Sequence, residues 1–428
     1  MNQNSSQPKN ESLLARRAVL GSAYRTFYEE PLMPVRGHDV WLYDAAGKSY
    51  LDCYNNVPSV GHSHPRVVEA LAQQAAVLNT HTRYLHESVV DYAEQLVALF
   101  PAELDTVMFT CTGSEANDLA LRIAYDATNR RGLIVTENAY HGVTVSLADL
   151  SPSLQPVGPH VRTVPAPDTY RTADGEDVAS RFALDVQRAI ASLREAGYEP
   201  AAMLVDTVFA SDGIFPFANG VLAAAAREIH AAGGLFIADE VQGGFGRTGR
   251  WWAMARESGF VPDMVSLGKP MGAGHPLAGL VLKSSLATPF GQRRRYFNTF
   301  GGNTVSTAVG LAVLKVIQEQ ALVANARDVG SHIADHLCNL AKRHASIGDI
   351  RCAGLYIGLE LVEDRATRAP ASRLGAALVN YLRRNGVLLS TSGPAYNVLK
   401  IRPPLTFARE HADQLIDALD TGLRNLTA

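Results

Sequence analysis

Three short stretches of the sequence place reactive groups directly after apolar runs. Lys269 stands between a glycine and a proline in VSLGKPMGAGHP, residues 265–276, in a loop too rich in glycine to pack around a long cation. Asp239 follows the apolar run LFIA, and Gly113 and Ser114 follow VMFTCT at the start of a helical pattern. Because the carboxyl ends of parallel strands share one edge of an open sheet, we expect these groups to meet in one crevice.

An amine, a carboxylate and an anion-binding turn in one crevice are what pyridoxal phosphate requires of a protein. The lysine amine can form a Schiff base with this cofactor, and the carboxylate can keep the pyridine nitrogen protonated so that the ring accepts electrons. Free N–H groups at a helix N-terminus can hold the phosphate. The alternative from the residues alone is a lysine that reaches out of its loop into water.

The elements that must position these groups alternate along the chain. Short apolar runs interleaved with helical periodicity predict an α/β fold with a large, mixed but mostly parallel sheet covered by helices. Strands are predicted over 106–110, 132–136, 201–206, 234–240, 263–268 and 277–283. Helices are predicted over 114–128, 185–197 and 221–234, and the last two end in glycine, as helices often do.

The pattern changes near residue 320 and predicts a smaller α+β domain. Its expected helices lie near 322–344, 371–385 and 409–425, and its expected strands lie near 350–362 and 398–405. The predicted organisation has four parts. They are a disordered polar tail over 1–12, an N-terminal segment over 13–65 that joins the small domain and covers the site, a large cofactor-binding domain over 66–320 and the small domain over 321–428.

Composition argues against several classes of partner. The 428 residues are 47% hydrophobic and 19% charged with a formal net charge of -3, so neither nucleic acid nor an anionic membrane surface is expected. The four cysteines lack CxxC spacing, which favours a reducing compartment over a disulfide or zinc framework. No apolar run approaches membrane-spanning length, and no apolar region follows the arginine pair in ARRAVLGSAY. We therefore expect a cytoplasmic protein.

Five motifs resemble those of the class III pyridoxal phosphate enzymes, the family of ornithine and ω-amino acid aminotransferases. They are TGSEAN (112–117), YHG (140–142), DEVQGGFGRTG (239–249), GKPMGAGHP (268–276) and NTFGGN (298–303). The resemblance extends over nearly the whole chain. It implies the aspartate aminotransferase fold, which is fold type I of the pyridoxal phosphate enzymes.

The resemblance also implies a role for each residue in these motifs. Lys269 is implied as the Schiff-base lysine, Asp239 as the partner of the pyridine nitrogen and Gln242 as a neighbour of the phenolic oxygen. Thr299 is implied to reach the phosphate of the partner subunit's cofactor, so a homodimer is expected, with a tetramer left open. The other implied cofactor contacts are Gly113 and Ser114 at the phosphate, Tyr140 stacked on the ring, His141 and Val241.

Within this family the sequence is most similar to the phospho-lyases of ethanolamine phosphate and phosphohydroxylysine. The similarity implies elimination of phosphate from ethanolamine phosphate, with acetaldehyde and ammonia as the other products. Phosphohydroxylysine stays as an alternative substrate, and it is less favoured because we find no clear second anion site in the sequence. The segments that carry this similarity are 50–71, 109–122, APDTYR (166–171), 296–303, IGDIR (347–351) and VLKIRPPL (398–405).

Two positions favour a lyase over an aminotransferase. Class III aminotransferases that accept two substrates in turn typically pair a glutamate with an arginine, and this sequence has Ser211 and Lys400 at those places. Lys400, freed from a carboxylate, is predicted to bind the substrate phosphate, and Arg25 in the N-terminal segment is a second candidate. The alternatives are a surface ion pair for each cation and an ω-aminotransferase that uses a keto acid such as pyruvate or glyoxylate.

Other readings of the sequence fit less well. The glycines of GFGRTG (244–249) have the spacing of a nicotinamide-binding turn, but no strand leads directly into them. His62 and His64 have no cysteine or carboxylate beside them in the sequence, so no metal site is predicted. A catalytically inactive regulator would be expected to have lost the lysine or the aspartate, and this chain keeps both.

Overall fold

The structure is a computed structural model that describes residues 7–173, 175–216 and 220–427. The N-terminal segment forms helix α1 (Gln7–Arg16), followed by an antiparallel meander of strands β1 (Pro34–His38), β2 (Trp41–Asp44) and β3 (Ser49–Asp52).

Helix α1 corrects part of the predicted disordered tail. Residues 1–6 lie outside the described residues, but the prediction is wrong from Gln7 onward, where the chain is helical. The polar composition that suggested disorder conceals a stretch with leucines, an alanine and an arginine, all good helix formers. Its single proline, Pro8, falls in the first turn, where no intrahelical N–H bond is lost.

A seven-stranded sheet forms the centre of the large domain, in the order β4-β10-β9-β8-β7-β5-β6. Its strands are β4 (Thr106–Thr110), β5 (Gly132–Thr136), β6 (Val161–Val164), β7 (Pro200–Asp206), β8 (Leu235–Asp239), β9 (Met264–Leu267) and β10 (Ala278–Leu282). Strand β10 runs antiparallel to both β4 and β9, and the other neighbouring pairs are parallel, so the predicted mixed, mostly parallel sheet is confirmed. All seven residues of β7 are buried, as expected for a strand with helices on both faces.

Helices cover this sheet and form the hydrophobic core with it. They are α2 (Pro65–Val77), α3 (Glu87–Val97), α4 (Gly113–Thr128), α5 (Val145–Ala148), α6 (Val178–Glu195), α7 (Val221–Ala231), α8 (Ser284–Arg293) and α9 (Thr304–Glu319). Helix α6 begins earlier than predicted because the Asp177 carboxylate caps the amides of Ala179 and Ser180.

The C-terminal part is the predicted α+β unit. Its helices are α10 (Leu322–Arg343), α11 (Ser372–Arg384) and α12 (Arg409–Thr427). Its strands are β11 (Ile347–Ala353), β12 (Tyr356–Asp364), β13 (Ala369–Pro370), β14 (Val387–Leu388), β15 (Ser390–Ser392) and β16 (Val398–Ile401). Strands β11, β12, β16 and β15 form an antiparallel sheet, while β14 pairs with β3 and so ties the N-terminal meander to this part of the chain. No single helix in the described ranges is long and apolar enough to cross a membrane, and α9 with α10 reaches that length only across a 57° bend.

Two of the segments that resemble phospho-lyases, APDTYR and IGDIR, meet at one buried carboxylate. Glu360 on β12 lies 2.5 Å from Arg171 and 2.8 Å from Arg351. Arg351 also donates a 2.9 Å hydrogen bond to the carbonyl oxygen of Gly213. The cluster therefore joins the loop before α6, the turn after β7 and the small-domain sheet.

Candidate active site

A cavity of about 200 Å³ opens where the carboxyl ends of β4, β7, β8 and β9 come together. This is the edge at which an open α/β sheet binds its ligands. Eight of the predicted site residues line the cavity: Gly113, Ser114, Tyr140, His141, Asp239, Val241, Gln242 and Lys269.

Asp239, the last residue of β8, is buried and held by three donors. His141 Nδ1 lies 2.8 Å and Asn117 Nδ2 lies 2.9 Å from its Oδ2, and the Val241 amide donates to its Oδ1 at 3.0 Å. Burial alone would raise the pKa of Asp239, but these hydrogen bonds and the His141 charge outweigh it and hold the pKa below its usual value. The site therefore keeps a negative charge at the end of β8.

Lys269 follows β9 and faces the same cavity. Burial lowers its pKa, and the charge of Arg402 lowers it further, while Asp239 and Asp206 act in the opposite direction. The net effect is that a larger fraction of the Lys269 amine is neutral than in an exposed lysine. A neutral amine can act as a nucleophile, as the Schiff-base role predicted for Lys269 requires, and it can also act as a base.

The N-terminus of α4 forms one wall of the cavity. A capping box between Thr112 and Glu115 satisfies the amide of Glu115 at 3.1 Å and the amides of Cys111 and Thr112 at 2.7 and 3.0 Å. The amides of Gly113 and Ser114 remain at the open, positive end of the helix. A Cβ atom on Gly113 would lie 2.9 Å from Cγ2 of Val241, so only glycine lets these two segments approach.

A hydrogen-bond network that the sequence analysis missed fixes the side chain of Gln242. Its Nε2 donates to Asp206 at 3.3 Å, and its Oε1 accepts from Arg402 at 2.8 Å and from Tyr356 at 3.2 Å. Asp206 ends a predicted strand, so the rule that located Asp239 would have found it. Arg402 stands two residues after Lys400, and alternate residues of an extended chain point to the same side.

Lys400 lies on β16 and is buried, and it is not among the residues that line the cavity. Burial and then the charge of Arg402 hold the pKa of Lys400 well below its usual value, while Asp206 and Asp212 oppose them. Among the described residues no carboxylate forms an ion pair with Lys400, whose Nζ donates a 3.4 Å hydrogen bond to the carbonyl oxygen of Ala210, so its predicted role at the substrate phosphate stays a prediction. The Asp212 carboxylate accepts hydrogen bonds from Thr136 and from a backbone amide, and burial raises its pKa to about 6.

The other two predicted residues lie outside this cavity. Arg25 is exposed and lines a separate cavity of about 300 Å³, which shares Tyr54 with the surroundings of Arg402. The Arg402 guanidinium lies 4.8 Å from the centre of the Tyr54 ring. Thr299 is exposed on the loop between α8 and α9. Their assigned roles stay predictions.

Glu240 follows Asp239 in the chain, but its side chain is not among those that line the cavity. It accepts hydrogen bonds from the amides of Ala253 at 2.9 Å and Met254 at 2.6 Å, and burial raises its pKa to about 7. A carboxyl group whose pKa is raised by folding stabilises the fold fully below its ordinary value, and this contribution is lost as the pH rises through the folded value.

We therefore expect Glu240→Gln to flatten the pH dependence of stability. The thermal midpoint of the native protein should fall between about pH 5 and about pH 8, and the variant should fall less because its side chain cannot ionise. Equal falls in the two proteins, measured by circular dichroism in matched buffers, would show that Glu240 ionises normally.

The donors around the cavity fit pyridoxal phosphate. The helix N-terminus offers amides to a phosphate, Asp239 offers a fixed negative charge to a ring nitrogen, and Lys269 offers an amine to an aldehyde. The close approach at Gly113 keeps the helix end and the segment after β8 together, so one bound molecule can contact both.

Comparison with known proteins agrees with this geometry. The family model described as aminotransferase class III matches residues 24–423. The chain is 38% identical to ethanolamine-phosphate phospho-lyase homolog 1 of Caenorhabditis elegans, over 96% of this chain and 93% of that protein. It is also 38% identical to an alanine–glyoxylate aminotransferase 2-like protein of Drosophila melanogaster, over 95% of this chain and 86% of that protein.

A solved structure shares both the fold and much of the sequence. A phospholyase from Arthrobacter in complex with phosphoethanolamine superimposes with a TM-score of 0.93 and is 44% identical, covering 96% of this chain and 99% of that chain. The protein described here belongs to the class III aminotransferase family and is a pyridoxal phosphate enzyme.

Proposed function

We propose that the enzyme is a phospho-lyase that converts ethanolamine phosphate and water into acetaldehyde, ammonia and inorganic phosphate. The observation that carries the proposal is Arg402, a buried cation that contacts Gln242 in the wall of the active-site cavity. Its Nη1 binds Gln242, whereas its Nε is buried without a hydrogen-bond partner among the described residues. A buried donor without a partner costs free energy, and a substrate phosphate would satisfy it.

Similarity to the Arthrobacter phospholyase supports the same substrate class. The solved structure of that protein contains phosphoethanolamine. Lys400 and Arg402, on one side of an extended segment, suit a doubly charged phosphate, because the guanidinium offers a planar fork and a bound phosphate would favour the protonated form of the lysine. We propose Arg402 as the principal phosphate ligand, with Lys400 and Arg25 as secondary candidates.

The residues of this chain divide the chemistry between them. Pyridoxal phosphate, when bound, supplies an electron-accepting ring next to the substrate amine. Lys269, with its lowered pKa, takes a proton from the carbon beside the substrate nitrogen. The C–O bond to phosphate then breaks on the neighbouring carbon, and water completes the conversion of the two-carbon product to acetaldehyde and ammonia.

The fixed charges of the site favour elimination of phosphate from the substrate. Asp239 stays ionised and keeps a negative charge in the cavity at the end of β8. The buried Arg402 guanidinium would stabilise the charge that develops on the departing phosphate, and Lys400 would add to this effect once the phosphate favours its protonated form. No keto acid is required, because phosphate leaves with the electron pair that an aminotransferase would return to a second substrate.

The phosphate assignment predicts a change in apparent substrate affinity. Arg402→Met should raise the KM for ethanolamine phosphate about 10- to 100-fold, the equivalent of losing a hydrogen bond to a charged group. Lys400→Met should have a smaller effect in the same direction, and Arg402→Lys should recover part of the loss. Cofactor content of each variant is the control, since Arg402 also holds Gln242.

The matched comparison is inhibition by ethanolamine, which lacks the phosphate. Its inhibition constant should change little in Arg402→Met. If KM for ethanolamine phosphate stays within twofold of the native value in both methionine variants, the phosphate is bound elsewhere.

An ω-aminotransferase is the second candidate, and the Drosophila relative favours it by its name. Supplying ethanolamine phosphate and pyruvate together separates the two functions. A lyase forms ammonia and leaves the pyruvate unchanged, whereas an aminotransferase forms alanine.

We also propose a homodimer in the cytoplasm. The loop that carries Thr299 exposes Phe297 and Phe300, which are 41% and 70% exposed and would be covered by a second subunit. The four cysteines are free thiols, which supports a reducing compartment. A monomeric mass by sedimentation would contradict the dimer, and secretion of a tagged full-length chain would contradict the location.

A further inference from the structure

Three metal-ligating side chains converge on the outer face of the small domain. His332 and His336 lie one turn apart on α10, with ring centres 4.4 Å apart. Asp413, in the second turn of α12, places its Oδ1 2.7 Å from Nε2 of His332. One ligand atom from each of the three residues lies within 4.8 Å of the other two. None of them lines the active-site cavity, and the proposed reaction uses none of them.

The chemistry of this group suits one class of ion. Two imidazoles at i and i+4 on one helix face, with a carboxylate from a neighbouring element, are ligands that Zn²⁺ binds with tetrahedral geometry, at about 2.0 to 2.2 Å. Imidazole nitrogens favour first-row transition metals over Mg²⁺ and Ca²⁺, which prefer oxygen. His336 and Asp413 are exposed and His332 is half-buried, so an ion can enter from solvent and keep water as its fourth ligand.

A second histidine–aspartate pair joins His344, the residue directly after α10, to α12, and it is part of an ordinary cluster of ion pairs. His344 Nε2 lies 2.6 Å from Asp420, and Arg343 and Arg424 each lie 3.1 Å from the same carboxylate. Those two arginines would repel a metal cation. At Asp413, by contrast, no lysine or arginine forms an ion pair among the residues that the structure describes, and a second imidazole stands in that place.

We propose that His332, His336 and Asp413 form a binding site for Zn²⁺ that joins α10 to α12. Because a ligand that binds only the folded state stabilises it, bound Zn²⁺ should raise the melting temperature of the protein. The two exposed ligands contribute little to packing, so their removal should leave the fold intact and abolish the effect of the metal.

The test uses tag-free holoenzyme that has been treated with a chelator and then titrated with ZnCl₂ by calorimetry. The native protein should show a site that His336→Ala and Asp413→Ala each weaken at least tenfold, with loss of the Zn²⁺-dependent rise in melting temperature. His230→Gln is the matched control. It removes an exposed histidine that pairs with Asp263 at 2.6 Å but does not belong to the cluster of His332, His336 and Asp413. Zn²⁺ affinity that is equal in the native protein and in the double variant His336→Ala/Asp413→Ala would overturn the proposal. Weakening of the same size in His230→Gln would also overturn it.

Discussion

Replacing Lys269 by alanine is expected to reduce kcat for phosphate release by about 10⁴-fold or more, because one amine serves both as the attachment point of the cofactor and as the base. The structure gives that amine a cavity-facing position after β9 and a lowered pKa. Among the described residues that line the cavity, Lys269 is the only lysine, so no other amine there can take over both roles. A loss of less than about tenfold in kcat would contradict the assignment.

A second readout separates attachment from proton transfer. After reduction with borohydride, the intact mass of the native chain should include the cofactor, whereas the mass of Lys269→Ala should not. Lys342→Ala is the matched control, since the Lys342 amine contacts Asn339 on the exposed face of α10. This control should retain both the covalent mass and the activity.

Replacing Asp239 by asparagine is expected to reduce kcat on the order of 10²- to 10³-fold, with a much smaller change in KM. The change keeps the size of the side chain and removes the negative charge that three hydrogen bonds hold in place. Without this charge the site would make a bound pyridoxal phosphate less electron-accepting, so proton removal from the substrate should slow while substrate binding is preserved. Steady-state kinetics with saturating cofactor measures the split.

Glu240→Gln is the matched control for this prediction. Glu240 is also a buried carboxylate, next in the chain, but its hydrogen bonds run to backbone amides of Ala253 and Met254. The kcat of the Glu240→Gln variant should stay within a few-fold of the native value. Equal losses in the two variants would mean that the effect comes from disturbing the end of β8, and Asp239 would lose its assigned role.

Much of the site follows from local sequence patterns. The residues after β4, β8 and β9 were predicted together because buried parallel strands read as apolar runs and their carboxyl ends share one edge. Asp206 obeys the same rule at the end of β7, although the sequence analysis assigns it no role. Arg402 was overlooked because Lys400 occupied the position expected for the family's arginine.

Other features depend on contacts that no local pattern contains. Arg171 and Glu360 are 189 residues apart in sequence, and their ion pair forms only when the loop before α6 meets β12. The carboxylates whose charges act on Lys400 come from β7 and the turn after it, so the electrostatic surroundings of this lysine depend on the fold and not on its neighbours in the sequence. The role of Thr299 depends on a second subunit.

The most direct test of the proposed lyase is the release of inorganic phosphate and ammonia from ethanolamine phosphate by purified holoenzyme, with no amino acceptor present. We expect phosphate, ammonia and acetaldehyde in equal amounts, accumulating over many turnovers per active site. Failure to release phosphate, together with amino transfer once pyruvate or glyoxylate is added, would contradict the account and identify the enzyme as an aminotransferase.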